Sequence, residues 1–371
     1  VEIKPFRYLL PDLKKIEKHE SFFNKLKENY TLQASKKIFH PVKEAGIIVY
    51  RIRTQEREFQ GLLAGVNLEE YLTGNIKKHE NTLLTQEENM IALTLERNAI
   101  IKPVLLCYPP EDEIVNFIHH QIHEREPNLS VHFPKSEQTH DFYSVHEEAD
   151  IHRIQKLFEK KVPSAYIADG HHRMAAISHI VESRPNLLEK GLDHIMCAFF
   201  SFDQLSILPY NRVVDLEKLI DPDELVKMFE SFGKIKEIDE HREPAKAHEI
   251  ILLLGDRTFR FRWHKKVIQQ AEHKNGIAFD IDLFNDYILH RTLDIHDVRR
   301  DPRIKYIEGI KGIRQVSKQV DQNSHLMGVC FYPVHHKDFK KTADHGKILP
   351  PKSTWFEPRI RNGLVVQEFP A

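Results

Sequence analysis

The run Tyr166-Ile167-Ala168-Asp169-Gly170-His171-His172-Arg173-Met174-Ala175-Ala176-Ile177 constrains this 371-residue chain more than any other stretch. Tyr166, Ile167 and Ala168 follow Val162-Pro163 as a short apolar run, the pattern of an interior strand. Met174, Ile177 and Val181 recur at i, i+3 and i+7 with Ala176 and Ile180 beside them, so the next segment has a helical apolar face. Gly170 sits at the switch, where it can take positive φ or let an anion approach the backbone. A helix start presents unpaired N–H groups and the positive end of the helix dipole. Arg173 can grip a phosphate through two hydrogen bonds. A carboxylate, two imidazoles and a guanidinium thus meet at a strand-to-helix turn, a phosphate-handling arrangement with an acid attached. The plainer reading makes Asp169 an N-cap and the His pair a surface feature of a chain with 24 histidines. The conjunction of Asp, Gly, His, His and Arg at one switch favours the functional reading.

The length allows two or three domains with sizeable cores. A composition of 41% hydrophobic and 29% charged residues is that of a soluble globular protein. The net charge of −1 leaves no basic excess to draw the whole protein to nucleic acid, so no nucleic-acid partner is expected. Cys107, Cys197 and Cys330 stand in apolar stretches without paired spacing and read as buried free thiols in a reducing compartment. Val1-Glu2-Ile3-Lys4-Pro5-Phe6 has no signal-peptide pattern and no apolar run reaches membrane-spanning length. The expectation is a cytoplasmic protein with no membrane partner.

Along the chain, Lys4-Pro5-Phe6-Arg7-Tyr8 reads as an edge strand or extended arm. Residues 12–40 read as one or two surface helices, and 45–53 and 58–66 as strands. Asn67-Leu68-Glu69-Glu70 resembles a capping box, closed by Gly74, and Thr85-Gln86-Glu87-Glu88 a second one. Strands are expected at 101–108, 194–202, 205–214, 303–307 and 326–331, and helices at 111–124, 150–161 and 281–293. Residues 215–238 read as charged and helical. Residues 249–254 and 259–263 form a hairpin about Gly255-Asp256. The tail at 350–359 carries too many prolines for a regular element and reads equally as a docking or capping loop or as one whose Lys352-Ser353-Thr354 reaches an anion.

Two further groups of residues carry chemistry. His119 and His123 stand i, i+4 on one helix but lack a third ligand, and zinc needs three or four, so a solvated helix face is the expectation. Lys78-His79-Glu80-Asn81-Thr82 concentrates polar types, although on spacing alone Glu80 is a solvent-exposed acid in a charged loop.

Taken together, Lys4-Pro5-Phe6-Arg7, Lys78-His79-Glu80-Asn81-Thr82, Tyr166 through Arg173, Leu208-Pro209-Tyr210-Asn211-Arg212 and Pro351-Lys352-Ser353-Thr354-Trp355-Phe356 resemble a bacterial family of conserved cytoplasmic proteins, the domain of unknown function numbered 1015. The resemblance spans nearly the whole chain, and its Ala-Asp-Gly-His-His-Arg string is the specific part. The chain departs from the pattern at Asn89-Met90, where an Asp-Arg pair is expected, and at Asn211, where His is usual. The motif also resembles that of free-serine kinases in the ParB/sulfiredoxin-like superfamily.

That resemblance implies an α+β (mixed α/β) fold. A ParB/sulfiredoxin-like, nucleotide-binding domain would occupy residues 1–215, with a smaller C-terminal α+β domain at 216–371 whose tail returns to the site. It implies a nucleotide-dependent phosphotransferase using ATP or ADP with magnesium on a small hydroxyl-bearing metabolite, free L-serine first among them. Gly170, His171, His172 and Arg173 would hold phosphates. Glu80, Asp169, His172 and Arg173 would form the catalytic set, with Glu80 as general base. Substrate contacts would come from His79, Thr82, Arg212 and Lys352, with Lys4 and Arg7 as secondary candidates. Two other readings stand beside it: a nucleotide-binding regulator with little or no turnover, and a metal-dependent hydrolase using the His pair.

Overall fold

The computed structural model describes residues 1–183, 193–216, 222–320 and 325–369. They form a mixed α/β protein with two large sheets in two compact units, Val1–Ser206 with Pro358–Ala371, and Ile207–Glu357.

The first unit is built on a nine-stranded sheet. One of its interior strands is the all-apolar Val104–Tyr108, every residue of which is buried. Such a strand needs cover on both faces. It pairs in parallel with His194–Ser201 and antiparallel with Ala165–Asp169. Outward from His194–Ser201 come Glu58–Asn67, Ile47–Arg53, Gln138–Val145 and Leu129–Phe133, each antiparallel to the one before. Ile76–Lys77 pairs in parallel with the other side of Ala165–Asp169, and Ile3–Lys4 adds to Glu58–Asn67. The expected strands at 45–53, 58–66 and 166–168 therefore exist, and Ala165–Asp169 lies inside the sheet.

Helix His171–Ser183 buries Met174, Ala176, Ile177, Ile180 and Val181, the face its periodicity marks. Helices Asp112–His123 and Glu148–Lys161 also appear where the apolar spacing places them, and the stretch 12–40 holds the helix His19–Ser35. All three cysteines are buried free thiols.

The second unit has a seven-stranded sheet. One face is covered by helix Gly312–Val320, whose Ile313, Val316 and Val320 pack with Ile251, Leu253 and Cys330. The other face carries a larger core that includes Leu225, Phe229, Phe284 and Ile288. The hairpin of Glu249–Leu254 and Arg257–Trp263 turns at Gly255, with φ of 59°.

Several expectations are corrected here. Residues 215–238 are not one charged helical stretch: they hold a helix, Pro222–Glu230, and an edge strand, Gly233–Ile238, while 217–221 lie outside the described residues. The strand forms because it pairs antiparallel with Arg257–Trp263 and Glu237 meets Arg257 across the ladder at 2.9 Å. Residues 281–293 form no uniform α-helix; Asp280–Leu283 is α-helical and Phe284–His290 is a π-helix. The tail contains a strand after all, Thr354–Glu357, because Ser206–Asp215 offers it a ladder that local sequence does not show. Ser206–Asp215 itself, ending at the expected division, pairs within the second sheet. Among the described residues no helix is long and apolar enough to cross a membrane.

Candidate functional site

Asp169 ends the strand Ala165–Asp169, Gly170 turns the chain at φ of 102°, and helix His171–Ser183 starts at the next residue. The pairing register against Val104–Tyr108 shifts between Ile167 and Asp169. A bulge of this kind re-aims the side chain that follows it. The Met174 N–H donates to the Gly170 carbonyl at 3.0 Å, which locks the first turn of the helix.

Three cations converge on Asp169. Arg173 Nη2 and Lys102 Nζ donate to its Oδ2 at 2.8 and 3.1 Å, and Arg359 Nη1 donates to its Oδ1 at 2.8 Å. Burial pushes the Asp169 carboxyl up, but Lys102, Arg173 and Arg359 outweigh it and hold the group well below the usual carboxylate range. For Lys102 burial is the larger influence and lowers its pKa. One carboxylate against three cations leaves a locally positive site beside the helix start, suited to an anion.

Arg173 also donates to the Pro103 carbonyl at 3.2 Å, and its buried Nε has no partner among the described residues. A Cβ on Gly170 would stand 2.6 Å from Arg173 Nη2. Only glycine lets the guanidinium fold back under the turn.

The two histidines of the motif diverge. His171 is 7% exposed, and its ring meets that of His79 edge-on, centroids 4.5 Å apart. Its Nδ1 lies 4.0 Å from Glu80 Oε2, and its buried Nε2 has no described partner. Burial brings the His171 pKa down to about 3; His172, Arg173 and Lys78 lower it further, against the pull of Asp169. His79 is likewise held well below 6.5, by burial and by His171, despite a hydrogen bond with the Ile167 backbone. Both rings are neutral at neutral pH. His172 instead accepts the Leu83 N–H on its Nε2 at 3.2 Å, just ahead of helix Leu84–Arg97.

That bond replaces the expected capping box at Thr85: the helix begins earlier, its N-cap is Leu83, and no side chain caps it. Asn67 does cap its helix through the Glu69 N–H, but Glu70 serves Glu2 and Asn75, so the reciprocal half of that box is missing. Glu80 is 36% exposed, and Thr82 is half-buried in the same loop. Among the described residues no three His, Cys, Asp or Glu side chains gather into a metal site, His119 and His123 included.

The structure therefore brings Glu80, His79 and His171 together, and Asp169 and Arg173 together, with Asp169 close enough to act on the His171 ring. Lys102 and Arg359 escaped the sequence reading. Lys102 carries one faint signal, a lone cation immediately before Pro103 at the head of an apolar strand. Arg212 and Lys352 belong to the second unit. Arg212 is fully buried there, its guanidinium carbon 5.5–5.8 Å from the ring centres of Phe284, Tyr306 and Phe331, and Nη1 donating to Asn285. Lys352, at φ of 57°, places Nζ 4.9 Å from the centre of the Tyr210 ring. Lys4 pairs with Asp193 at 3.1 Å.

Among solved structures, C-terminally truncated SbnI from Staphylococcus aureus is 12% identical, with 83% of this chain and 87% of that chain covered and a TM-score of 0.44. A free serine kinase in complex with AMP is 12% identical over 79% of this chain and 86% of that one, TM-score 0.37. A mutant free serine kinase in complex with ADP gives 12% identity, 79% and 87% coverage, and a TM-score of 0.38. No curated protein matches the sequence. The family model described as "Protein of unknown function (DUF1015)" matches residues 7–295, and the chain belongs to that family.

Proposed function

We propose that the turn from Asp169 to Arg173 binds nucleotide phosphates and that the protein is a nucleotide-dependent phosphotransferase acting on a small hydroxyl-bearing metabolite, with free L-serine the best candidate. The observation that carries this reading is the convergence of Lys102, Arg173 and Arg359 on Asp169 at the start of a helix. Phosphoryl transfer needs neutralised charge, alignment and help with the nucleophile's proton. The N–H groups at the helix start and the three cations supply the first two. Asp169 acts as the positioning residue that holds the cations together until phosphate oxygens compete for them.

Glu80 is the group for the third task. Its carboxylate takes the proton of the acceptor hydroxyl as that oxygen bonds to phosphorus, and the nucleotide leaves with the electron pair of the broken P–O bond. Neutral His171 lies beside Glu80, and its Nε2, buried and without a described partner, would donate to the transferred group once that group is seated against it. Both Asp169 oxygens accept from cations, so a magnesium ion would come in with the nucleotide phosphates and neutralise their charge.

The test is a transfer assay with ATP or ADP, magnesium and a panel of free hydroxy amino acids, read by mass spectrometry. Phosphoserine should form. It should vanish in Glu80→Gln, which keeps nucleotide binding, and in Arg173→Ala, which weakens it. Nucleotide binding by the wild type without any transferred phosphate would overturn the enzyme reading in favour of the regulator.

A further inference from the structure

A cleft of about 840 Å³ in the first unit takes no part in the chemistry above. Its lining includes Phe6, Arg7, Tyr8, Lys43, His194 and Phe369. The walls are pinned by backbone. Phe6 and Gly46 exchange N–H donors at 3.0 and 3.1 Å, Leu9 and Val366 do so at 2.8 and 3.1 Å, and the Val42 N–H donates to the Tyr8 carbonyl at 3.0 Å. The cleft is therefore preformed, within the size range of small-molecule pockets.

His194 is fixed there by three devices. A Cβ on Gly65 would sit 2.5 Å from His194 Cδ2, so glycine is what seats the ring. Asp193 Oδ1 holds His194 Nδ1 at 2.7 Å. Lys4 in turn holds Asp193 Oδ2 at 3.1 Å. His194 is therefore a fixed part of the wall. Arg7 and Lys43 are exposed cations whose side chains have no partner among the described residues. They outnumber Glu368, the acid on the rim. Phe6, Tyr8, Leu9 and Phe369 are buried and give the cleft an apolar floor.

We propose that this cleft is a second small-molecule site, taking an oxyanion carried on an apolar body. Arg7 and Lys43 bind the oxyanion, and the aromatic floor takes the body.

The probes are 1-naphthyl phosphate and 1-naphthoate, with inorganic phosphate and 1-naphthol as half-ligands, titrated calorimetrically into the full chain. At least one naphthyl anion should bind saturably, with both half-ligands weaker by about tenfold or more. Which naphthyl anion binds tells a phosphate monoester from a carboxylate. The double variant Arg7→Ala with Lys43→Ala should lose about tenfold at unchanged Tm, and Lys43→Glu alone should lose at least as much. ADP should not displace the probe, and Arg173→Ala should bind it as the wild type does, so this test stands whatever becomes of the phosphotransferase reading. Equal affinity in wild type and both charge variants, no binding of either naphthyl anion, or displacement by ADP would each overturn the proposal.

Discussion

Arg359 Nη1 donates to Asp169 Oδ1 at 2.8 Å, joining the C-terminal segment to the motif turn across 190 residues of chain. Asp169 thereby sits between cations from three separate parts of the sequence, and its removal leaves Lys102, Arg173 and Arg359 facing one another. Breaking such a buried ion cluster from one side costs about 3 kcal/mol. Asp169→Ala should lose about that much in urea unfolding at pH 7. The Asp169 pKa is depressed in the folded state, so its contribution is full above the unfolded carboxylate value and fades as pH falls through the folded one. The gap between wild type and variant should therefore narrow toward pH 3. A gap independent of pH would show that the ion cluster is not its source.

Gly170→Ala should be costly for two separable reasons. The backbone there has φ of 102°, which strains any L side chain, at about 1–3 kcal/mol. The new Cβ also meets Arg173 Nη2 at 2.6 Å and would push the guanidinium off Asp169. In an Arg173→Ala background only the first cost remains. A double-mutant cycle in chemical unfolding should show Gly170→Ala less harmful there than in the wild type.

The strand, turn and helix that carry the site were legible because their signals are local: an apolar run, a glycine, then a helical repeat of buried residues. His171 belongs to that local signal, whereas Glu80 gained its role only through motif resemblance, and the geometry adds the 4.0 Å approach of Glu80 to His171. Arg359 could not be read and Lys102 only faintly, since 190 and 67 residues separate them from Asp169 and local sequence does not mark the distant partner of an ion pair. Thr354–Glu357 was missed for the same reason, its pairing partner being supplied by the tertiary fold. At Thr85 a capping pattern lost to tertiary context: His172 takes the Leu83 N–H, and the helix starts two residues ahead of the pattern.

His171 should stay neutral across the physiological range. Its pKa lies at about 3 in the folded protein, against about 6.5 in an unfolded chain. The unfolded state takes up the proton first, so this group destabilises the fold progressively as pH drops below about 6.5 and costs nothing above it. In NMR spectra of the imidazole, His171 should show no titration between pH 5 and 8. His171→Asn should give a shallower decline of stability on acidification. A midpoint near 6.5 for this ring would refute its burial and the hydrogen-bonding role given to it.

Arg212 tests whether a fully buried cation serves the fold or a ligand. Its Nη1 reaches Asn285, and three aromatic rings surround it, but Nε and Nη2 have no described partner and burial lowers its pKa to about 10. A charge in that state has lost its hydration without full compensation, and a flexible apolar side chain of similar length removes the penalty. Arg212→Met should therefore keep stability within about 1–2 kcal/mol of the wild type, whereas Arg212→Ala opens a cavity and should lose about 3 kcal/mol. Asp282 supplies a second readout. Burial and Asp286 raise its pKa to about 7, and Arg212 pulls it down. A carboxyl with a raised folded pKa loses stability as pH climbs from its unfolded value to its folded one. Without Arg212 the folded value rises further, so the decline in Arg212→Met should extend beyond pH 7, seen in urea unfolding between pH 5 and 8. If Met costs as much as Ala and the pH profile stays put, the guanidinium itself is required, and Arg212 returns to the substrate contacts.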